Sequence, residues 1–392
     1  MAISTARIIP LSDLTASQVA QWQELADSAL EPNPFFEPAF VIPASRRLPE
    51  GVEPAIIFAD SAGQLGACLP VLFERRWRRA PLRCVATRPT LSPTLHRTGL
   101  GTPLVGGSHG SEALGSLIDV LRQQASRDGS LFLALEVFGV GGTVDQLLRE
   151  VLGDRGLRSY EYETWARSMV LRREQATYLS AVSSPRHRRE LARRRRKIGE
   201  ELGGVLELVD RSGDPEAVEE LLSLEAVRGR AADEEVDGVG EDWFRELCAR
   251  FRDQGRLYLL SLEAGGRPAA MACYLRAGDG MFCRRISYEP RVARHSPGLH
   301  LDVAVIDRFH DDGRMNWMDS CNLPEDRTTW SMWPDRRPVS TLLVPLRRGT
   351  GDLAARALVA LHAAKQGLRT GKQGLRTGKE RLSTEGGKER LG

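Results

Sequence analysis

The chain has 392 residues, 41% hydrophobic and 27% charged, which is the balance of a globular protein and more than one ordinary domain needs. Its formal charge of +3 conceals +7 within the twelve positions Arg186–Lys197 and +5 from Lys365 to Gly392, on a body of about −9, which excludes a chain basic throughout that would coat nucleic acid. No apolar run reaches the roughly 18 residues of a membrane span, Met1–Leu14 holds no signal-peptide core, and the six cysteines show neither CxxC nor paired-histidine spacing, so a cytoplasmic protein with reduced thiols and no metal is expected.

Taken in chain order, Thr15–Leu30 reads as an amphipathic helix opened by a threonine cap, with Val19, Trp22, Leu25, Ala26 and Leu30 near one face. Three strand-like runs follow at Pro54–Asp60, Leu65–Arg75 and Pro81–Thr87. Gly110–Arg127 is helical, Leu131–Val137 a buried strand and Val144–Leu152 a helix, and Arg158–Leu171 supplies one or two strands around Trp165.

Ser184-Pro185 then caps a basic helix that runs to Gly203-Gly204. Val205–Val209 is a strand. Helices are expected from Asp214 to Arg228 and from Glu241 to Gln254, the second with Phe244, Leu247, Cys248 and Phe251 on one face. Arg256–Leu262, Pro268–Ala277 and Met281–Tyr288 form a meander across EAGGR and GDG turns. Ser296-Pro297-Gly298 opens a helix to Asp312, followed by a strand at Met315–Asp319, an irregular or short helical piece with Trp330 and Trp333, and a last strand at Pro338–Pro345. The order is strand, two helices, three antiparallel strands, helix, strand, short helix, strand, and it occurs twice.

A helix and a low-complexity tail occupy 349–392. QGLRTGK stands at Gln366–Lys372 and again at Gln373–Lys379, and KERL also repeats; with one Leu per unit and glycines around it, the segment reads as a disordered basic extension without a catalytic role.

This element order resembles the GNAT acyltransferase superfamily, and its duplication resembles the double-domain members. EPNPFFEPAF at Glu31–Phe40, the basic helix Arg186–Gly204, SPG at Ser296–Gly298, WMDSCNLPED at Trp317–Asp326 and WPDRR at Trp333–Arg337 resemble the cellulose-biosynthesis acetyltransferase (CelD/BcsL-like) type, which is related to the Fem peptidyltransferases. The resemblance implies an α/β fold of the mixed-sheet kind with two similar tandem halves: 1–171 for acceptor recognition or structure, and 172–348 for donor binding and catalysis. It also implies acetyl-CoA or another acyl-CoA as co-substrate, with transfer to a primary amine.

In that fold the helix after the fourth strand presents its N-terminus to the coenzyme A pyrophosphate. Here that places Arg291, Arg294, His295, Ser296 and Gly298 at the donor, although the turn holds one glycine where the superfamily has several. The plain alternative is an ordinary capped helix. Asp319 at the end of the fifth strand is a candidate proton acceptor, or a turn cap; Tyr288 and Glu225 are candidate acid and base. Cys321 is a weaker nucleophile candidate with no histidine near it in sequence. His300 and His310 read as helix-surface residues, and Trp317, Trp330 and Trp333 as core or as the wall of an acceptor pocket.

The leading function is therefore acyl-CoA-dependent N-acyl transfer to a small-molecule amine held between the halves, with Phe35–Phe40 helping to recognise it. The alternatives are a Fem-type aminoacyl-tRNA donor, bound through Arg186–Lys197, and a non-catalytic scaffold of the same fold. That basic helix also fits a solvated face paired with the acidic body.

Overall fold

The computed structural model describes residues 4–76, 81–88, 99–173, 178–227, 241–323 and 332–366. The repeat tail, Trp330 and the end of the Trp317–Asp326 segment lie outside them. In the first half, Thr15 caps α1 (Ala16–Asp27) by accepting from the Gln18 N–H, and the Gln18 side chain accepts from the Thr15 N–H in return. Trp22, Leu25 and Ala26 form the buried stripe of α1.

The other first-half elements are β1 (Ser4–Pro10), α2 (Pro38–Ser45), β2 (Ala55–Ser61), β3 (Gln64–Arg76), β4 (Leu82–Thr87), the short β5 (Leu104–Val105), α3 (Gly110–Asp128), β6 (Phe132–Gly139), α4 (Thr143–Asp154) and β7 (Tyr160–Leu171). The second half begins with α5 (Tyr178–Val182) and α6 (Pro185–Leu202). It continues through β8 (Glu207–Asp210), α7 (Glu216–Val227), α8 (Asp242–Asp253), β9 (Leu257–Ala264), β10 (Arg267–Ala277) and β11 (Gly280–Tyr288). α9 (Pro297–Asp311), β12 (Trp317–Asp319) and β13 (Asp335–Pro345) follow, with α10 at residues 350–366.

One path of hydrogen-bonded strands crosses the molecule in the order β1-β2-β3-β4-β6-β13-β7-β12-β11-β10-β9-β8, with β5 beside β3. Each half supplies an antiparallel run that ends in a parallel pair, β4 with β6 and β11 with β12. The halves then exchange strands. β13, last in sequence, lies between β6 and β7, and β7 lies between β13 and β12. Counted from either outer edge, the strand order is the same, so the duplicated pattern appears as two similar halves of one continuous mixed sheet.

The Glu31–Phe40 segment is a bolt between the halves. Asn33 is fully buried and satisfied: it donates to the carbonyls of Leu100 (2.7 Å) and Thr102 (2.8 Å) and accepts from the Phe35 N–H. Phe35 packs edge-on against Phe282 of β11 at 5.5 Å between centroids, and Phe40 against Trp243 of α8. Glu37 reaches Arg256 at 2.6 Å. The expectation that Phe35–Phe40 forms an acceptor-recognition surface is corrected here. Phe35, Phe36 and Phe40 have no more than 1% of their surface exposed, so they are inter-half core.

α6 and α9 cover the other face of the second half's sheet, with Leu191, Ile198, Leu301, Val305 and Phe309 in a shared core. The end of α6 abuts the β9–β10 turn so closely that a side chain on Gly265, whose φ is +57°, would strike the Leu202 carbonyl. This close approach is why glycine is required there.

Candidate active site

β11 organises the site. It pairs with β12 only from Gly280 to Phe282, yet stays paired with β10 as far as Tyr288. Its register with β10 shifts between Cys283 and Arg285, leaving Arg284 as the extra residue of a bulge. The bulge brings Arg284 and Arg285 onto the same face. Arg284 lies 5.2 Å from the Trp243 ring centroid and Arg285 4.1 Å from that of Phe244. Arg285 forms an ion pair with Glu225 of α7, so the candidate base stands on the α7–α8 face of the strand.

Tyr288, at the end of β11, belongs to the opposite face. A β-carbon built on Gly298 would lie 3.8 Å from its ring, so strand end and helix start are neighbours. Between them, Pro290–His295 winds as a 3-10 turn, and Ser296 adopts a left-handed conformation with φ +59°. The Ser296 carbonyl accepts from the Leu299 and His300 N–H groups. Its hydroxyl, expected as the helix cap, makes no capping bond and instead meets Arg194 Nη1 of α6 at 3.3 Å.

The cations of the turn are matched by acids. Arg291 bonds Glu289 at 3.0 Å, while Arg294 (2.6 Å) and His295 (2.8 Å) share Glu201 of α6. The His295 hydrogen bond and then Arg294 hold the Glu201 carboxyl below the usual range. The structure thus gathers Arg291, Arg294, His295, Ser296, Gly298 and Tyr288 at one turn docked on α6. Glu225 is set across the strand, and Asp319 lies near the strand's other end, opposite Phe282.

Asp319 is entirely buried. Its Oδ1 accepts from Arg167 at 2.8 Å and from the Cys321 N–H, and its Oδ2 accepts from Arg337 at 2.7 Å. Burial alone would raise its pKa, but Arg167 and then Arg337 outweigh it and hold the carboxyl low. A carboxylate so stabilised and so enclosed is a fixed anion, and the geometry gives no support to proton acceptance from an amine. Cys321, also buried, has φ +54° and sits directly after this cluster.

His300 corrects the reading of a surface residue: it is 3% exposed on α9, and burial, with Arg195 second, lowers its pKa to about 4. His310 is half-buried, with its ring 4.9 Å from that of Tyr178. Trp333 is buried core, whereas Trp317 is partly exposed and packs on Phe282. The sequence reading missed Arg167, Arg284, Arg285 and Glu201; for Arg284 and Arg285, two adjacent cations inside an apolar strand were the available signal. None of the six cysteines forms a disulfide, and all are buried. Among the described residues no group of three or more His, Cys, Asp or Glu could hold a metal ion, and no helix is long and apolar enough to cross a membrane.

Residues 185–325, which contain α6, the β11 bulge, the turn and Asp319, match the family model described as an acetyltransferase (GNAT) domain. The chain is an acyltransferase with a GNAT domain in its second half. FemX, with 9% identity over 83% of this chain and 95% of its own, superposes with a TM-score of 0.57. A conserved protein of unknown function from Bacteroides thetaiotaomicron gives 0.52 at 12% identity, covering 86% of this chain and 98% of that one. The C-terminal DUF2156 domain of a protein assigned as a lysylphosphatidylglycerol synthetase in Agrobacterium fabrum gives 0.51 at 13% identity, covering 86% and 94%. At these identities the likeness is one of fold. No curated protein matches the chain by sequence.

Proposed function

We propose that this GNAT acyltransferase moves an acyl group from a coenzyme A thioester directly to a primary amine. The observation that carries the reading is the parting of β11 from β12 after Phe282, beside the start of α9 where Tyr288 lies against Gly298. The amine nitrogen attacks the thioester carbonyl, and the tetrahedral intermediate then loses the thiolate. Tyr288 is the acid that protonates the leaving sulfur, and Glu225, across the strand beside Arg285, receives the amine proton directly or through water. The α9 N-terminus, with Ser296, Gly298 and the Arg291, Arg294 and His295 side chains around it, is the pyrophosphate site. Within the superfamily we assign the CelD/BcsL-like type, on segments such as Glu31–Phe40 and Arg186–Gly204, and a cytoplasmic setting, on the cysteines without disulfides.

One observation favours a second donor. Arg194 ties the cationic helix α6 to Ser296, so a large anionic carrier such as aminoacyl-tRNA would meet both together. The two donors are separated by following thiol release from acetyl-CoA and loss of amino acid from charged tRNA, each with a panel of primary amines. Amine-dependent thiol release supports the first reading. Amine-dependent deacylation of tRNA, steeply weakened by salt, supports the second, and neither activity leaves the scaffold.

A further inference from the structure

α6 and α9 run beside each other on one face of the sheet, and between them, over β8, lies a groove of about 580 Å³. Pockets of this volume hold small organic molecules. Leu191 of α6 and Val303 and Ala304 of α9 give it an apolar lining. Its polar lining is Arg188, Arg195, His300, Asp307, Arg308 and Asp311, of which Arg195, His300 and Asp307 bear on a ligand.

Arg195 of α6 donates to the Leu206 carbonyl and makes no ion pair among the described residues, and burial depresses its pKa. Asp307 of α9 makes none among the described residues either; burial, and then the charge of Asp311, raise its carboxyl. Arg195 and Asp307 attract each other from the two walls but do not meet as a salt bridge. His300, 97% buried by its 3% exposure, donates to the His295 carbonyl through one ring nitrogen and leaves Nε2 without a partner. A neutral ring bonded in this way offers Nε2 as a lone pair.

A buried acceptor without a partner is costly to the fold, and the partly buried Arg195 and the exposed Asp307 stand on opposite walls without pairing. Together these groups complement a molecule with a negative end, a positive hydrogen-bond donor and an apolar body. We propose that this groove binds a free α-amino acid with an apolar side chain, its carboxylate on Arg195, its ammonium on Asp307 and His300 Nε2, and its side chain on Leu191, Val303 and Ala304. The site uses none of the β11 groups and stands independently of the donor assigned above.

The test is calorimetry on the full chain with three probes: L-leucine, L-leucinamide, which lacks the carboxylate, and N-acetyl-L-leucine, which lacks the ammonium. L-leucine should bind at millimolar concentration or better, and each analogue about tenfold or more weakly. Arg195→Gln should erase the preference over leucinamide alone, and Asp307→Asn the preference over N-acetyl-leucine alone. Asp307→Asn keeps the shape of its side chain, Arg195→Gln gives up only the bond to the Leu206 carbonyl, and neither breaks an ion pair among the described residues; thermal unfolding without ligand verifies that both fold. Absence of L-leucine binding, equal binding of the three probes, or L-leucine binding untouched by both variants would overturn the proposal. Because no acyl donor is present, these outcomes are independent of the acyltransferase assays.

Discussion

Arg167 of β7 and Asp319 of β12 meet at 2.8 Å with both side chains at 0% exposure, one residue from each half of the chain. Arg337 of β13 adds a second cation at 2.7 Å. The pair therefore sits where the halves exchange strands, and it repays its desolvation only while both charges are present.

Asp319→Asn should consequently act on stability. It leaves the Arg167 guanidinium buried without its counter-charge, a loss of ~3–5 kcal/mol. Denaturant unfolding should show this loss, and turnover per folded molecule should stay close to wild type. A large fall in kcat with unchanged stability would return Asp319 to the chemistry.

Gly298 offers a cleaner probe of the proposed donor site. Its φ is not positive and a β-carbon there meets only Tyr288, at ordinary contact distance. The helix itself accepts alanine, with a gain of about 0.5–1 kcal/mol over glycine in a helix. Gly298→Ala should therefore leave the melting temperature level or slightly higher, while raising KM for acyl-CoA and leaving kcat near wild type. A melting temperature that falls by several degrees would mean that the glycine is required by the fold.

Much of this was legible in the sequence because periodicity and punctuation carry it. The Thr15 cap, the GDG turn and the 3, 4, 7 spacing of α8 each specify local geometry without help from distant residues. α2 escaped because Pro38–Ser45 is apolar on nearly every side and contains Pro43, so it has no stripe to detect. β1 escaped as a half-exposed edge strand ending in proline. The turn before α9 was legible from Ser-Pro-Gly, but its ion pairs to Glu201 join residues more than ninety positions apart. The reading of Asp319 as a base failed for the same reason: nothing local to WMDSCNL reveals that Arg167 stands behind it.

His300 gives a pH dependence. Its folded-state pKa of about 4, against 6.5 as the reference value, means the unfolded chain binds more protons between those limits. Stability contributed by the neutral ring is complete above pH 6.5 and is lost as pH falls towards 4, by about 3 kcal/mol in all. The charges of Arg195, Arg194 and His295 add to the penalty on the ring's charged form, and the hydrogen bond to the His295 backbone offsets part of it. His300→Asn should flatten this part of the stability curve, measured by denaturant midpoints from pH 4 to pH 7. An unchanged slope would place the titration elsewhere.

Truncation tests the exchanged strand. Ending the chain at residue 334 removes β13 from between β6 and β7 and should abolish cooperative unfolding. Ending it at residue 366 removes only the repeats, and stability should stay within about 0.5 kcal/mol of the full chain. A stable product from the shorter chain would show that the first half closes its sheet alone.

The most direct test of the donor assignment is calorimetric titration of the full chain with coenzyme A, whose pyrophosphate is common to every acyl donor, on wild type and Gly298→Val side by side. The account predicts binding to wild type and at least about tenfold weaker binding to the variant, with its fold intact. Equal binding to both proteins, or no binding to wild type, would contradict it.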